Sequence, residues 1–95
     1  MRLVHRERLQ EFAARHRDSE TPLSAWAQVV ETGRFRHLVE LRRTFGSADY
    51  VKPYVVFNIG GGKYRLIALI NYEVGLVSVE RVMTHVEYDQ GKWRR

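Results

Sequence analysis

Hydrophobic positions recur at two spacings along this chain, and the spacing changes near residue 54. From His5 to about His16, the residues Leu9, Phe12, Ala13 and His16 repeat at helical intervals, leaving Arg8, Glu11 and Arg15 to face water. Glu11 and Arg15 add an i,i+4 pair. Ahead of this helix, Leu3 and Val4 suffice for a short edge strand. Arg17-Asp18-Ser19-Glu20 breaks the pattern, and Thr21-Pro22 restarts it, with threonine as N-cap and proline at the first helical position. Leu23, Trp26, Ala27 and Val30 make the second apolar stripe, with Gly33 as its C-terminal cap. A third helix is predicted over about 35–45, with Phe35, Leu38, Leu41 or Arg42, and Phe45 on one side and Gly46 at its end. Residues 47–53 form a loop on this reading, because Gly46, Ser47, Asp49 and Pro53 interrupt both periods.

From Tyr54 the period is that of strands. Val55, Val56, Phe57 and Ile59 favour a buried strand, Gly60-Gly61-Gly62 supplies a turn, and KYRLIALINY is a second strand with an apolar middle. Glu73-Val74-Gly75 fits a three-residue hairpin loop leading into a third strand, LVSVERVMTH. Thr84-His85-Val86-Glu87 then matches a capping box, which starts a short C-terminal helical turn with His85 at its first position and Tyr88 one turn along. The predicted fold is α+β, with N-terminal helices packed on a small, mainly antiparallel sheet and residues 1–95 forming one domain.

Register decides which polar residues can meet. With the three-residue loop, Tyr72 pairs with Leu76, Arg65 falls opposite Met83, and Lys63 falls opposite His85, so Lys63, Arg65 and His85 share a face. A turn at Gly61-Gly62 pairs Asn58 with Arg65 and adds it to the group. Ile67 and Leu69 continue that face as an apolar floor for bases or a partner. A helix start attracts phosphate and disfavours a charged imidazole, a suitable setting for a base.

Composition narrows the chemistry further. Thirteen of the sixteen cations are arginine, the net charge is +5, and arginine favours forked contacts to phosphate, so composition alone fits a polyanionic partner and a basic but inert surface about equally. Arg34, Arg36, Arg42 and Arg43, in or beside the third helix, offer a basic outer surface, though a solvated helix face is the commoner meaning of such spacing. A hydrophobic content of 44% fills one core but not two. The absence of cysteine excludes disulfides and thiolate metal sites and is compatible with a reducing compartment. The N-terminal MRLVHRERLQEF lacks the apolar run of a signal peptide, and no stretch approaches the roughly 20 apolar residues of a membrane span, so a cytoplasmic protein is expected.

Familiar motifs are missing. The glycine run leads into a strand and lacks the following Lys-Ser or Lys-Thr of a phosphate-binding loop. The histidines show no HExxH spacing, no serine lies in a nucleophile elbow, and neither metal nor cofactor is expected. Each candidate also has a plainer role: Glu87 as a cap, Asp89 as a surface carboxylate, Asn58 at a strand end, Lys63 as a hairpin charge and Tyr88 as a packed ring. His5, His16 and His37 have no comparable setting and are taken as surface or packing residues.

In VVFNIGGGKYRL and RVMTHVEYD, the residues Asn58, Gly60, Gly61, Arg65, Met83, Thr84, His85, Glu87, Tyr88 and Asp89 match the pattern of HigB-type toxins of bacterial toxin–antitoxin systems. The chain resembles this group, which is related to the RelE-like ribonuclease toxins, over nearly its whole length. The resemblance implies a compact α+β fold, mRNA cleavage that often occurs on the ribosome, and neutralisation by a HigA antitoxin with a helix-turn-helix domain. RNA carries its own nucleophile, so an enzyme of this kind must deprotonate the 2′-hydroxyl, stabilise charge on the phosphate and protonate the departing 5′ oxygen. The catalytic candidates are His85 for acid/base work, Arg65 for the phosphate and Tyr88 for proton transfer or orientation; Asn58 and Lys63 are candidates for holding RNA. Competing expectations are an RNA- or ribosome-binding translation inhibitor without nuclease activity, and a pure protein-interaction module.

Overall fold

The computed structural model describes residues 1–94. Strand β1 (Arg2–Val4) leads into helix α1 (Glu7–Arg15), a 3-10 turn at Arg17–Ser19, helix α2 (Glu20–Thr32) and helix α3 (Leu38–Thr44). Strands β2 (Asp49–Val51), β3 (Tyr54–Ile59), β4 (Tyr64–Asn71) and β5 (Leu76–Thr84) follow, and helix α4 (His85–Gln90) runs into a last 3-10 turn at Lys92–Arg94. The sheet order is β1-β5-β4-β3-β2, parallel only where β1 meets β5. This is the α+β arrangement expected from the two hydrophobic periods.

The helices cover one face of the sheet. Leu9 and Phe12 of α1 and Leu23, Trp26, Ala27 and Val30 of α2 pack against Val55, Phe57, Ile59, Tyr64, Leu66, Ala68, Val77 and Val79. Phe57 sits at the centre, edge-on to Trp26 at 5.3 Å and to Phe45 at 5.1 Å. Full burial of a side chain of this kind contributes about 1.5–3 kcal/mol. The helical side therefore carries most of the stabilisation, and the opposite face can spare positions for chemistry. There Val56, Ile67 and Met83 lie beneath Trp93, with Val51, Tyr54 and Tyr88 at the margin. Ile67 is consequently buried and offers no floor for bases.

Several local expectations are corrected. The 3-10 turn feeds directly into α2, so Ser19 holds the N-cap position and Thr21 and Pro22 lie inside the first turn. Gly33 is extended, not left-handed; a Cβ there would come within 2.9 Å of the Phe35 ring, so close approach requires the glycine. The third helix starts three residues late, at Leu38, with His37 as N-cap: its ring accepts from the Glu40 amide at 3.3 Å, and Phe35 is buried outside the helix. The expected loop over 47–53 contains β2, which pairs with β3 along the sheet edge.

Two departures in the last hairpin cancel. Asn71, not Tyr72, pairs with Leu76, which makes the loop four residues long. A bulge between Ala68↔Val79 and Ile67↔Arg81 then leaves Glu80 unmatched, and Arg65 meets Met83 as expected. The extra residue also reverses the parity of β5: Val77 and Val79 face the helices, whereas Met83 faces Trp93.

The capping box at α4 forms as expected. Thr84 Oγ1 accepts from the Glu87 amide at 3.2 Å, and Glu87 Oε1 accepts from the Thr84 amide at 3.0 Å. The Thr84 backbone bond holds the Glu87 carboxyl below its ordinary range, against a smaller opposing effect of burial. A lowered folded-state pKa stabilises the helix start above the ordinary glutamate value, and this support is lost as pH falls through the lowered one. Amide NMR shifts of Thr84 and Glu87 should therefore move toward coil values in acid and should move less over the same range in Glu87→Gln. A flat titration in the unsubstituted protein would contradict this assignment.

Candidate active site

The pairs Asn58↔Arg65 and Arg65↔Met83 set neighbouring strands in register where α4 leaves the sheet. Asn58, Arg65 and Tyr88 line one cleft of about 320 Å3, together with Arg42, Ser47, Ala48, Asp49 and Val56. Arg65 is half-buried and fixed: its Nη1 donates to the carbonyls of Gly62 at 2.6 Å and Tyr64 at 3.2 Å. Its guanidinium carbon lies 5.6 Å from the centre of the Tyr88 ring. That ring stacks in turn on Trp93 at 5.1 Å and 16°, and Trp93 Nε1 donates to the Tyr88 carbonyl at 3.1 Å. Such a cation–ring contact is worth about 0.5–2 kcal/mol, enough to favour one orientation of the fork. Among the described residues no carboxylate pairs with Arg65 or Arg42, whereas Arg36 binds Glu40 and Arg6 binds Glu31. Two cations are thus left available at the cleft.

His85 does not line this cleft. It opens α4 one turn before Tyr88, its amide donates to the Lys63 carbonyl at 3.0 Å, and its exposed ring sets Nδ1 3.6 Å from the Asp89 carboxylate. The i,i+4 spacing on the helix produces this last contact. With Nδ1 turned toward Asp89, Nε2 is the ring nitrogen that faces away.

Lys63 departs from the expected group. Its Nζ donates to Asp18 at 2.8 Å, and the neighbouring Tyr64 hydroxyl donates to the other oxygen of the same carboxylate at 2.5 Å. Because β4 begins only at Tyr64, Lys63 lies in the glycine turn, outside the alternation that would have kept it with Arg65. The Asp18 carboxyl is held below its ordinary range by these two hydrogen bonds, while the bond to Asp18 raises the Lys63 and Tyr64 values. His16 stacks on Phe12 at 4.4 Å and is a packing residue.

The sequence places Arg42 only on a basic outer surface, and gives Asp49 and Trp93 no role at the site. Arg42 belongs to a helix face that also suits plain solvation, and Asp49 to a segment broken by glycine and proline. Trp93, an apolar residue in a charged tail just past Gly91, was a signal that the chain returns to the sheet. Among the described residues no three His, Cys, Asp or Glu side chains gather as a metal site, and no described helix is long and apolar enough to cross a membrane.

Comparison with known proteins gives the same lineage throughout. Residues 19–91 match the family model described as HigB toxin, the RelE-like toxic component of a toxin–antitoxin system. Over 92 residues the chain is 32% identical to the mRNA interferase toxin HigB of Escherichia coli K12, covering 94% of this chain and 88% of that protein. The mRNA interferase HigB of Shigella flexneri shows the same identity and coverage. That of Escherichia coli O6:H1 is 26% identical over 93 residues, covering 95% of this chain and 90% of the relative. With most of its length matched, from the 3-10 turn to the end of α4, the chain belongs to the HigB family of RelE-like toxins.

Proposed function

We propose that this toxin is an mRNA endoribonuclease that cleaves by 2′-hydroxyl attack, using Arg65, His85 and Tyr88, and that it works on message engaged by the ribosome. The observation that carries the reading is the fixed Arg65 fork over the Tyr88 ring, bonded to no carboxylate among the described residues although Asp49 lines the same cleft, beside a helix that begins at His85. His85 takes the proton from the 2′-hydroxyl, with Asp89 orienting its ring. The 2′ oxygen attacks phosphorus, the bond to the 5′ oxygen breaks, and that oxygen leaves with a proton delivered on the Tyr88 side. Arg65 meets the charge that builds on the nonbridging oxygens, a role its remaining N–H donors suit. Asn58 and Arg42 hold flanking parts of the strand, and Lys63, bound to Asp18, supports the turn. A helix-turn-helix antitoxin of the HigA kind is the expected neutralising partner, and mRNA the substrate.

The products follow from this chemistry: a 2′,3′-cyclic phosphate, or its opened 3′-phosphate, and a 5′-hydroxyl. Incubating the purified toxin and a short message with and without ribosomes, then mapping ends with and without phosphatase and kinase treatment, tests both products and ribosome dependence. Arrested translation with uncut message would replace the nuclease reading with that of a binder.

A further inference from the structure

Three consecutive carbonyls link the two proposed catalytic side chains. Gly62 and Tyr64 accept from the Arg65 guanidinium, and Lys63, between them, accepts from the His85 amide. The side chains of that same run point to one anchor on the helical side of the sheet. Asp18, in the 3-10 turn after α1, receives the Lys63 ammonium on one carboxylate oxygen and the Tyr64 hydroxyl on the other. The Tyr64 ring is packed edge-on to Phe12 at 5.2 Å, and the turn itself rests near Pro22, 3.8 Å from where a Cβ on Gly60 would stand.

We infer that Asp18, which lies outside the cleft, is a positioning residue for cleavage: by clamping Lys63 and Tyr64 it fixes the peptide run on which both Arg65 and His85 hang. The inference rests on the roles proposed above for those two side chains. Gly60, Gly61 and Gly62 all have positive φ, so the turn has little stiffness of its own and needs an external tie. Both oxygens of Asp18 are used, and the hydrogen bonds from Lys63 and Tyr64 hold its carboxyl below its ordinary range. A shift of about 1 Å at a reacting group can cost two orders of magnitude in rate. The contribution of an exposed ion pair to folding is small by comparison. Asp18 should therefore matter far more to turnover than to stability.

The test is kinetic and spectroscopic. Asp18→Ala should lower kcat roughly tenfold or more with KM changed by less than about twofold, and should shift the amide NMR resonances of both Lys63 and His85. Asp18→Glu, which restores the carboxylate, should recover most of the rate. Glu31→Gln breaks the Arg6–Glu31 pair, an exposed ion pair between the N-cap of α1 and the end of α2, and should leave kcat unchanged. If Asp18→Ala does not fold, Asp18→Asn is subject to the same criteria. Unchanged kcat, a rise in KM alone, or an undisturbed His85 amide overturns the clamp. If Arg65 and His85 variants lose activity while Asp18 variants keep it, the clamp fails and the proposed catalytic roles stand; if Arg65 and His85 variants retain activity, those roles fail first.

Discussion

Replacing Arg65 with alanine is expected to lower the cleavage rate by about two to three orders of magnitude, the usual loss when one preorganised donor to a developing oxyanion is removed. The expectation follows from how the guanidinium is held. One nitrogen is bonded to the carbonyls of Gly62 and Tyr64 and the cation rests on Tyr88, so the fork is oriented before RNA arrives. Lysine at this position should recover only part of the rate, because an ammonium supplies charge without a planar fork. Single-turnover cleavage of a defined message, with thermal melting as a control, measures the effect. The side chain is only half-buried, so the variant should melt within a few degrees of the wild type. Full activity in Arg65→Ala would remove it from the chemistry.

The second large effect is expected at His85, where replacement by glutamine should cost about 10²–10⁴ in rate, the range of a general acid or base. Glutamine preserves a polar side chain at the first position of α4, and the Thr84–Glu87 cap remains intact, so the helix should persist. Single-turnover cleavage of a defined message measures the loss, with amide NMR of residues 84–88 as the control for the helix. Asp89→Asn should fall between the wild type and His85→Gln, since it retains a hydrogen-bonding neighbour for Nδ1 but removes its charge. Should His85→Gln keep the full rate, another group carries the proton.

The sheet was largely legible in the sequence because β3 and β4 are near-continuous runs of strand-favouring apolar residues, β5 is rich in valine, and glycines mark the turns between them. Arg65 opposite Met83 was anticipated by a count that contained two errors of opposite sign, one at the loop and one at the bulge. Neither could be seen in advance, since a bulge depends on how the neighbouring chain is met: here Arg8 donates to the carbonyls of Val79 and Glu80 at 2.8 and 3.1 Å. Strand β2 was hidden because an edge strand need bury only one side and tolerates polar residues and a nearby proline. The group around Arg65 followed from register, but the placement of Lys63 did not. Its fate was settled by Asp18, 45 residues away, through a contact that no local period encodes.

Glu80 occupies the one position in β5 that faces no partner across β4. Deleting it would convert a kinked ladder into a continuous one while keeping Asn71 with Leu76 at the tip and Arg65 with Met83 at the base. A one-residue change of length at this point is therefore absorbed by the ladder, without moving the residues that flank the cleft.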